Sequence, residues 1–207
     1  MRRLRGRRAL PQEVDVGTYR LAAPTWRRRW PGHRDGLRLR RLRRFPGGRY
    51  GNAVLVRGAI AASTVVALPR VPSWRVWQER RTALLVDAVL DDGPLRVVGT
   101  HLACAGASTR CAIQAAQFAT LLRRAGHVEV PLVVAGDFNR LGGAVLPQAA
   151  QVGLAAADHG PTFPAHPPRS DIDHVLVSEH FGVQRSEVVP TAMSDHAALV
   201  VDLGLRP

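Results

Sequence analysis

Lysine is missing from this chain, and cysteine, methionine and tyrosine occur only twice each. Two cysteines, Cys104 and Cys111, are too few to staple a small scaffold, and their spacing matches no common zinc site. They read as free thiols, with a disulfide across the loop after His101 as the alternative. No apolar run approaches the ~20 residues that a helix needs to cross a bilayer. The opening MRRLRGRRAL holds no apolar segment of the signal-peptide kind, so a cytoplasmic protein is expected. A Gly-x-Ser-x-Gly elbow is also absent, which argues against a Ser-His-Asp hydrolase. Aromatic residues make up 5%, and around the arginines of residues 1–8 and 27–44 only Trp26 and Trp30 are interleaved, a poor platform for stacked bases.

What is present is the balance of a soluble globular domain: 207 residues, 46% hydrophobic and 22% charged, enough to bury a core. The net charge of +13 is lopsided. Residues 1–81 hold 21 arginines against 4 acids, a net of +17, whereas residues 82–207 hold 8 against 12, a net of −4. The all-arginine usage reads first as compositional bias, and second as a phosphate-attracting arm. Residues 1–9 read as a disordered leader and 10–207 as one domain.

Residues 1–49 look irregular, with a short helix or turn near 9–18. From Gly51 onward, apolar runs bounded by turn residues predict strands at 52–57, 63–68, Thr82–Leu90 and 95–100. Asp91-Asp92-Gly93-Pro94 turns the last two into an antiparallel hairpin. Ser108–Ala125 has helical periodicity, with Ser108 or Thr109 as cap and Gly126 as stop. The all-apolar run at 131–136 fits a strand buried on both faces. Two further strands are expected at 172–177 and 197–203, and the stretch 142–168 reads as loop.

Four polar fragments stand at the ends of these strands: Thr100-His101-Leu102, Gly136-Asp137-Phe138-Asn139, Asp171-Ile172-Asp173-His174 and Ser194-Asp195-His196. Each alone is commonplace in turns and caps. Together they supply carboxylates, a carboxamide and imidazoles, which is what metal-assisted phosphoryl hydrolysis requires: hard oxygen ligands, an acid–base pair and groups for the phosphate. His174 neighbours Asp173 but points to the other side of a strand and reads as structural. His159 and His166 read as exposed loop residues. Trp74 and Trp77 read as core anchors, or as the lining of a substrate groove.

The order of these fragments resembles the endonuclease/exonuclease/phosphatase superfamily of deoxyribonuclease I-like, metal-dependent hydrolases. Gln12-Glu13-Val14-Asp15, Tyr50-Gly51-Asn52-Ala53-Val54-Leu55, Arg110 and Gln114 on the helix, and Pro161-Thr162-Phe163-Pro164-Ala165 add to the match. The resemblance implies a four-layered α/β sandwich of two mixed sheets flanked by helices. It implies a magnesium site, or manganese in its place, with Glu13 and Asp195 as metal ligands and Asp137 and Asn139 beside the metal and the attacking water. His196 would contact the scissile phosphate and be oriented by Asp173, His101 would be a second imidazole on the phosphate side, and Arg80 or Arg81 would face the phosphate, Arg81 in the better register. The expected substrate is a phosphate ester, a phosphodiester first, with nucleic acid or a phospholipid head group as its source. The expected state is a monomer without a stable protein partner.

One departure stands out. Family members open with a strand bearing a metal-side Asn, then a helix and a second strand ending at the Gln-Glu that corresponds to Gln12-Glu13. Here MRRLRGRRALP occupies that place, and no Asn precedes Glu13. The expectation is an N-terminally incomplete domain: an incomplete start, a diverged one or a decayed copy. A lost central strand would leave an unpaired edge and exposed apolar surface. A catalytically silent binding or scaffold module is the rival reading.

Overall fold

A computed structural model describes residues 14–21, 43–45, 48–70, 80–104, 108–125, 129–192 and 194–206. In chain order the elements are β1 (Val14–Leu21), β2 (Arg43–Phe45), β3 (Gly48–Val56), β4 (Ala59–Ala67), β5 (Thr82–Leu90), β6 (Gly93–His101), α1 (Ser108–Ala125), β7 (Leu132–Asp137), α2 (Gly142–Ala150), β8 (Leu154–Ala156), β9 (Asp173–Ser178), β10 (Phe181–Val189) and β11 (Ala198–Leu205). No described helix is long and apolar enough to cross a membrane.

The centre is a six-stranded mixed sheet in the order β4-β5-β6-β7-β9-β8. Alternation along its strands gives it two apolar faces. On β5, Ala83 and Leu85 turn to one side while Leu84, Val86 and Ala88 turn to the other. The first side packs on the helices: Val98, Leu132, Val134 and Leu176 of the sheet meet Phe118, Leu121 and Leu122 of α1 and Val145 and Ala149 of α2. The second side meets β3 through Val54 and Val56, with Val97 of β6 wholly buried between them. This is the α/β sandwich that the family resemblance implied.

The second layer comes in two pieces, a three-stranded sheet β1-β3-β2 and a hairpin β10-β11. Among the described residues no strand joins β1 to β11. Valines 183, 189 and 200 and Leu205 of the hairpin are exposed.

Several elements differ from the sequence reading. The helix or turn expected near 9–18 gives way to β1, which pairs with β3 from Val14 opposite Val56 to Leu21 opposite Arg49. Its Val-Asp-Val-Gly alternation is too short to announce a strand without that partner. β2 and the first part of β3 likewise replace irregular chain. The expected loop at 142–168 contains α2 and β8. A Gly-Gly start and Pro147 hide the helix. No side chain caps α2 at Leu141; instead Asp171 accepts a hydrogen bond from Gly142 N at 3.0 Å, placing a carboxylate at the helix N-terminus. β10 was unforeseen because Gln184, Arg185, Ser186 and Glu187 give it no apolar alternation.

Candidate active site

Strand register assembles the site. β6 and β7 run parallel with His101 opposite Asp137, and β7 and β9 run antiparallel with Asp137 opposite Asp173. Three adjacent strands therefore end with an imidazole and two carboxylates in a row. His101 continues the alternation of Leu95 and Val97, the side chains that face the second layer. Its Nε2 lies 3.2 Å from Asp137 Oδ2. His196 enters from the turn before β11: its Nδ1–H donates to Asp173 Oδ2 at 2.7 Å, and its Nε2 stands 3.9 Å from Asp137 Oδ2.

The backbone beneath this row is fixed by unusual local chemistry. Gly136 has φ +142°, and a Cβ there would meet Thr100 O at 2.0 Å, so only glycine lets β7 end so close to β6. Asn139 sits in the left-handed region at φ 50°. Its N–H donates to Asp137 Oδ1 at 2.8 Å, and its Nδ2 donates to Leu102 O at 3.1 Å, which ties the loops after β6 and β7 together. Two buried glutamines of α1 meet the polar groups of these loops. Gln114 Nε2 donates to Ala103 O, Phe138 O and Asn139 O at 2.5–3.1 Å, while Gln117 Oε1 accepts from Ala103 N at 2.8 Å. Gln114 entered the sequence reading only as a matching letter; its burial on an amphipathic helix was the signal that it serves the loops.

The segment 161–170 braces the other side. Thr162 is fully buried, and its hydroxyl donates to Asp173 Oδ2 at 2.5 Å. Its carbonyl accepts from Ala197 N at 2.8 Å, the residue after His196. The Phe163 ring lies 4.7 Å from the His196 ring. Ala165 N donates to Asp195 O at 2.6 Å. Sequence reasoning assigned no role to Thr162 or Phe163.

Environment separates the titrating groups. Burial, and then the charge of Asp173, push the Asp137 carboxyl up to about 6, against the opposing pull of the Asn139 N–H, His196 and Arg81. Burial, with the charges of Arg81 and His196 adding to it, pushes His101 down to about 3, so this imidazole is neutral near pH 7. His196 moves the other way, raised chiefly by its hydrogen bond to Asp173 and also by the charges of Asp173, Asp137 and Asp195. Ligand atoms of Asp137, Asp173 and His196 lie within 4.8 Å of one another, close enough to hold a metal ion. Two crowded carboxylates, one with its ionised form disfavoured, are a donor set that a hard divalent cation would relieve.

The remaining candidates are dispersed. Asp195 is exposed at the rim, outside that group of ligand atoms. Glu13 lies outside the described residues, and β1, which follows it, begins opposite Val56, at the end of β3 remote from Thr82 and the site. Arg81 is half-buried with its charge felt at His101 and Asp137, whereas Arg80 is exposed. Asn52 of β3 donates from Nδ2 to Thr82 O at 2.7 Å, at the site end of β5. His174 is buried, as a structural residue should be, and its Nε2 donates to Arg140 O at 2.7 Å. His166 is exposed, but His159 is half-buried with its ring 5.4 Å from that of His174, so the expectation of a bare loop residue is corrected. Cys104 is exposed. Trp74, Trp77, Gln12 and the side chains of Arg110 and Cys111 lie outside the described residues.

Comparison with known proteins agrees with this architecture. The profile of the Endonuclease/Exonuclease/phosphatase family matches residues 7–196, and the chain belongs to that family. The fold is shared with an endonuclease/exonuclease/phosphatase from Beutenbergia cavernae (TM-score 0.66, 24% identity, 91% of this chain and 53% of that one). It is also shared with the human Nocturnin catalytic domain (TM-score 0.62, 20% identity, 77% and 65%). A third such structure is the mannosyl-6-phosphatase of Bacteroides thetaiotaomicron (TM-score 0.59, 19% identity, 76% and 72%). The chain thus spans about half the length of the Beutenbergia protein. No curated protein sequence matches it.

Proposed function

We propose that this chain is a divalent-metal-dependent phosphoesterase that hydrolyses phosphodiester bonds, in nucleic acid or a phospholipid head group. One observation carries the reading: the convergence of His101, Asp137, Asp173 and His196 at the ends of three neighbouring strands and one turn. Family membership and the phosphatase among the structural neighbours support it.

Asp137, a partly buried carboxylate within reach of both imidazoles, accepts the proton of the attacking water. His196, whose proton affinity is raised by its hydrogen bond to Asp173, presents its Nε2 to the phosphoryl group or the leaving oxygen. Neutral His101 donates a hydrogen bond without adding charge, and Arg81 contributes positive charge at the same end of the sheet. Asp137 and Asp173 would hold the cation, and magnesium, or manganese, would supply charge compensation on the phosphoryl oxygens when bound.

The test is hydrolysis of a generic phosphodiester, plasmid DNA, sphingomyelin and inositol phosphates with magnesium and with chelator. Turnover is expected to need the metal and to fall by about 10²–10⁴-fold in Asp137→Ala, the usual cost of losing a general base. Folded protein that turns over none of these substrates would favour the silent-module reading.

A further inference from the structure

A second polar pair lies behind the active-site row, on the opposite side of β9. β8 pairs with β9 from Leu154 opposite Ser178 to Ala156 opposite Leu176, and Ala157 N continues the ladder to Val175 O at 2.9 Å. That ladder delivers His159 to His174. The two rings stand 5.4 Å apart, with His159 Nε2 at 3.4 Å from His174 Nδ1.

Hydrogen-bond accounting makes this contact unusual. His174 Nε2 lies 2.7 Å from Arg140 O, and a carbonyl only accepts, so Nε2 carries the hydrogen. His159 Nδ1 lies 2.7 Å from Gly160 O and carries its hydrogen for the same reason. In the two neutral imidazoles, then, the nitrogens that face each other at 3.4 Å both present lone pairs. Something electrophilic belongs with them. A metal ion suits the geometry. At zinc–nitrogen bonds of about 2.0–2.1 Å, a 3.4 Å separation corresponds to a ligand–metal–ligand angle of roughly 108–116°, that of a tetrahedral centre. His159 is half-buried, so the outer side of the pair is open to water ligands that would complete the shell.

We propose that His159 Nε2 and His174 Nδ1 are the protein ligands of a binding site for a borderline divalent cation, zinc or a neighbouring transition metal. Neutral imidazole is the donor such ions favour, in contrast to the carboxylate-rich row on the other side of β9. The site is structural in placement. It joins the carbonyl of Arg140, which follows Asn139, to the turn at Gly160, two residues before Thr162. Metal bound there braces two of the loops that hold the active-site residues, and the proposal does not depend on the reaction those residues perform.

The test is calorimetric titration of zinc into the full chain in saturating magnesium, comparing the unaltered protein with His159→Phe, which keeps a ring against His174 and removes the ligand. The pair is expected to bind zinc with an affinity that drops at least tenfold in His159→Phe, while the Asp137, Asp173 and His196 group is the same in both. Nitrogen-15 spectra of the unaltered protein give a readout independent of the variant's folding: zinc should shift the ring signals of His159 Nε2 and His174 Nδ1. No zinc binding by the unaltered chain, equal binding by both proteins, or ring signals that zinc leaves unmoved would each overturn the site.

Discussion

The two layers of the sandwich are built to different standards. The central strands of the six-stranded sheet, β5, β6 and β7, carry buried side chains on both faces, which interlock with α1 and α2 on one side and β3 on the other. The hairpin β10-β11 is half-solvated, with Val183, Val189, Val200 and Leu205 exposed, and it is separate from β1-β3-β2. The active-site row draws its side chains from the well-packed layer: His101, Asp137 and Asp173 end β6, β7 and open β9, and only His196 comes from the approach to β11. Placing reactive groups on the rigid layer means their mutual geometry is set by strand register rather than by loops.

Packing gives the sharpest way to break this contrast. Phe118 is fully buried between α1 and the sheet, with its ring 5.4 Å from Phe138. Phe118→Ala is expected to cost about 3–5 kcal/mol in denaturant unfolding, the range for emptying such a site. Val200→Ala, at 46% exposed on β11, is expected to cost less than about 1 kcal/mol. Similar losses at the two sites would mean that the hairpin is as tightly packed as the central sheet.

Charge in the rigid layer has a stability cost of its own. The Asp137 carboxyl rises from 3.8 to about 6 on folding, so the native state binds this proton more tightly than the unfolded chain. Its contribution is therefore intact below about pH 4 and is lost as the pH climbs through about 6, a difference of about 2–3 kcal/mol. Asp137→Asn removes the ionisation. Metal-free Asp137→Asn is expected to be more stable than the metal-free parent by up to that amount at pH 7 and no more stable at pH 4, by unfolding at both values. Magnesium should narrow the gap at pH 7, because a cation at Asp137 and Asp173 favours the carboxylate. An unchanged difference between pH 4 and 7 would show that this carboxyl is not strained in the folded protein.

Legibility in the sequence followed the same division. The strands at Thr82–Leu90 and 131–136 and the helix Ser108–Ala125 stand out because burial on both faces, or on one helical stripe, writes a strong apolar period. The polar residues at their ends stand out against that background, which is why His101, Asp137, Asp173 and His196 were candidates before their contacts were known. β1 and β10 were hidden because each owes its strand form to a neighbour, β3 or β11, rather than to its own alternation. α2 was hidden by Gly142, Gly143 and Pro147, and is held by Val145, Ala149 and the distant carboxylate of Asp171. Thr162 was invisible for a different reason: a hydroxyl in a Pro-rich segment announces nothing until the chain brings it against Asp173.

That hydroxyl is where the two layers meet, and it provides the finest test of the contrast. Thr162 donates to the Asp173 oxygen that also accepts from His196 Nδ1, while its carbonyl holds Ala197 at the start of β11. In the proposed mechanism a residue in this position orients the Asp173–His196 pair without touching a substrate, and losing such support typically costs 10–100-fold at comparable sites. Thr162→Val keeps the shape and the backbone bond but removes the donor, so it is expected to lower kcat about tenfold with little change in KM. With one donor fewer, the Asp173 carboxylate is less well satisfied and pulls harder on the His196 proton, which should move the alkaline limb of the pH–rate profile upward. Thr162→Ser retains the hydroxyl and should restore both. A purely packing role for Thr162 predicts the reverse pattern, with Ser, which loses a methyl group, doing worse than Val and the pH profile unmoved.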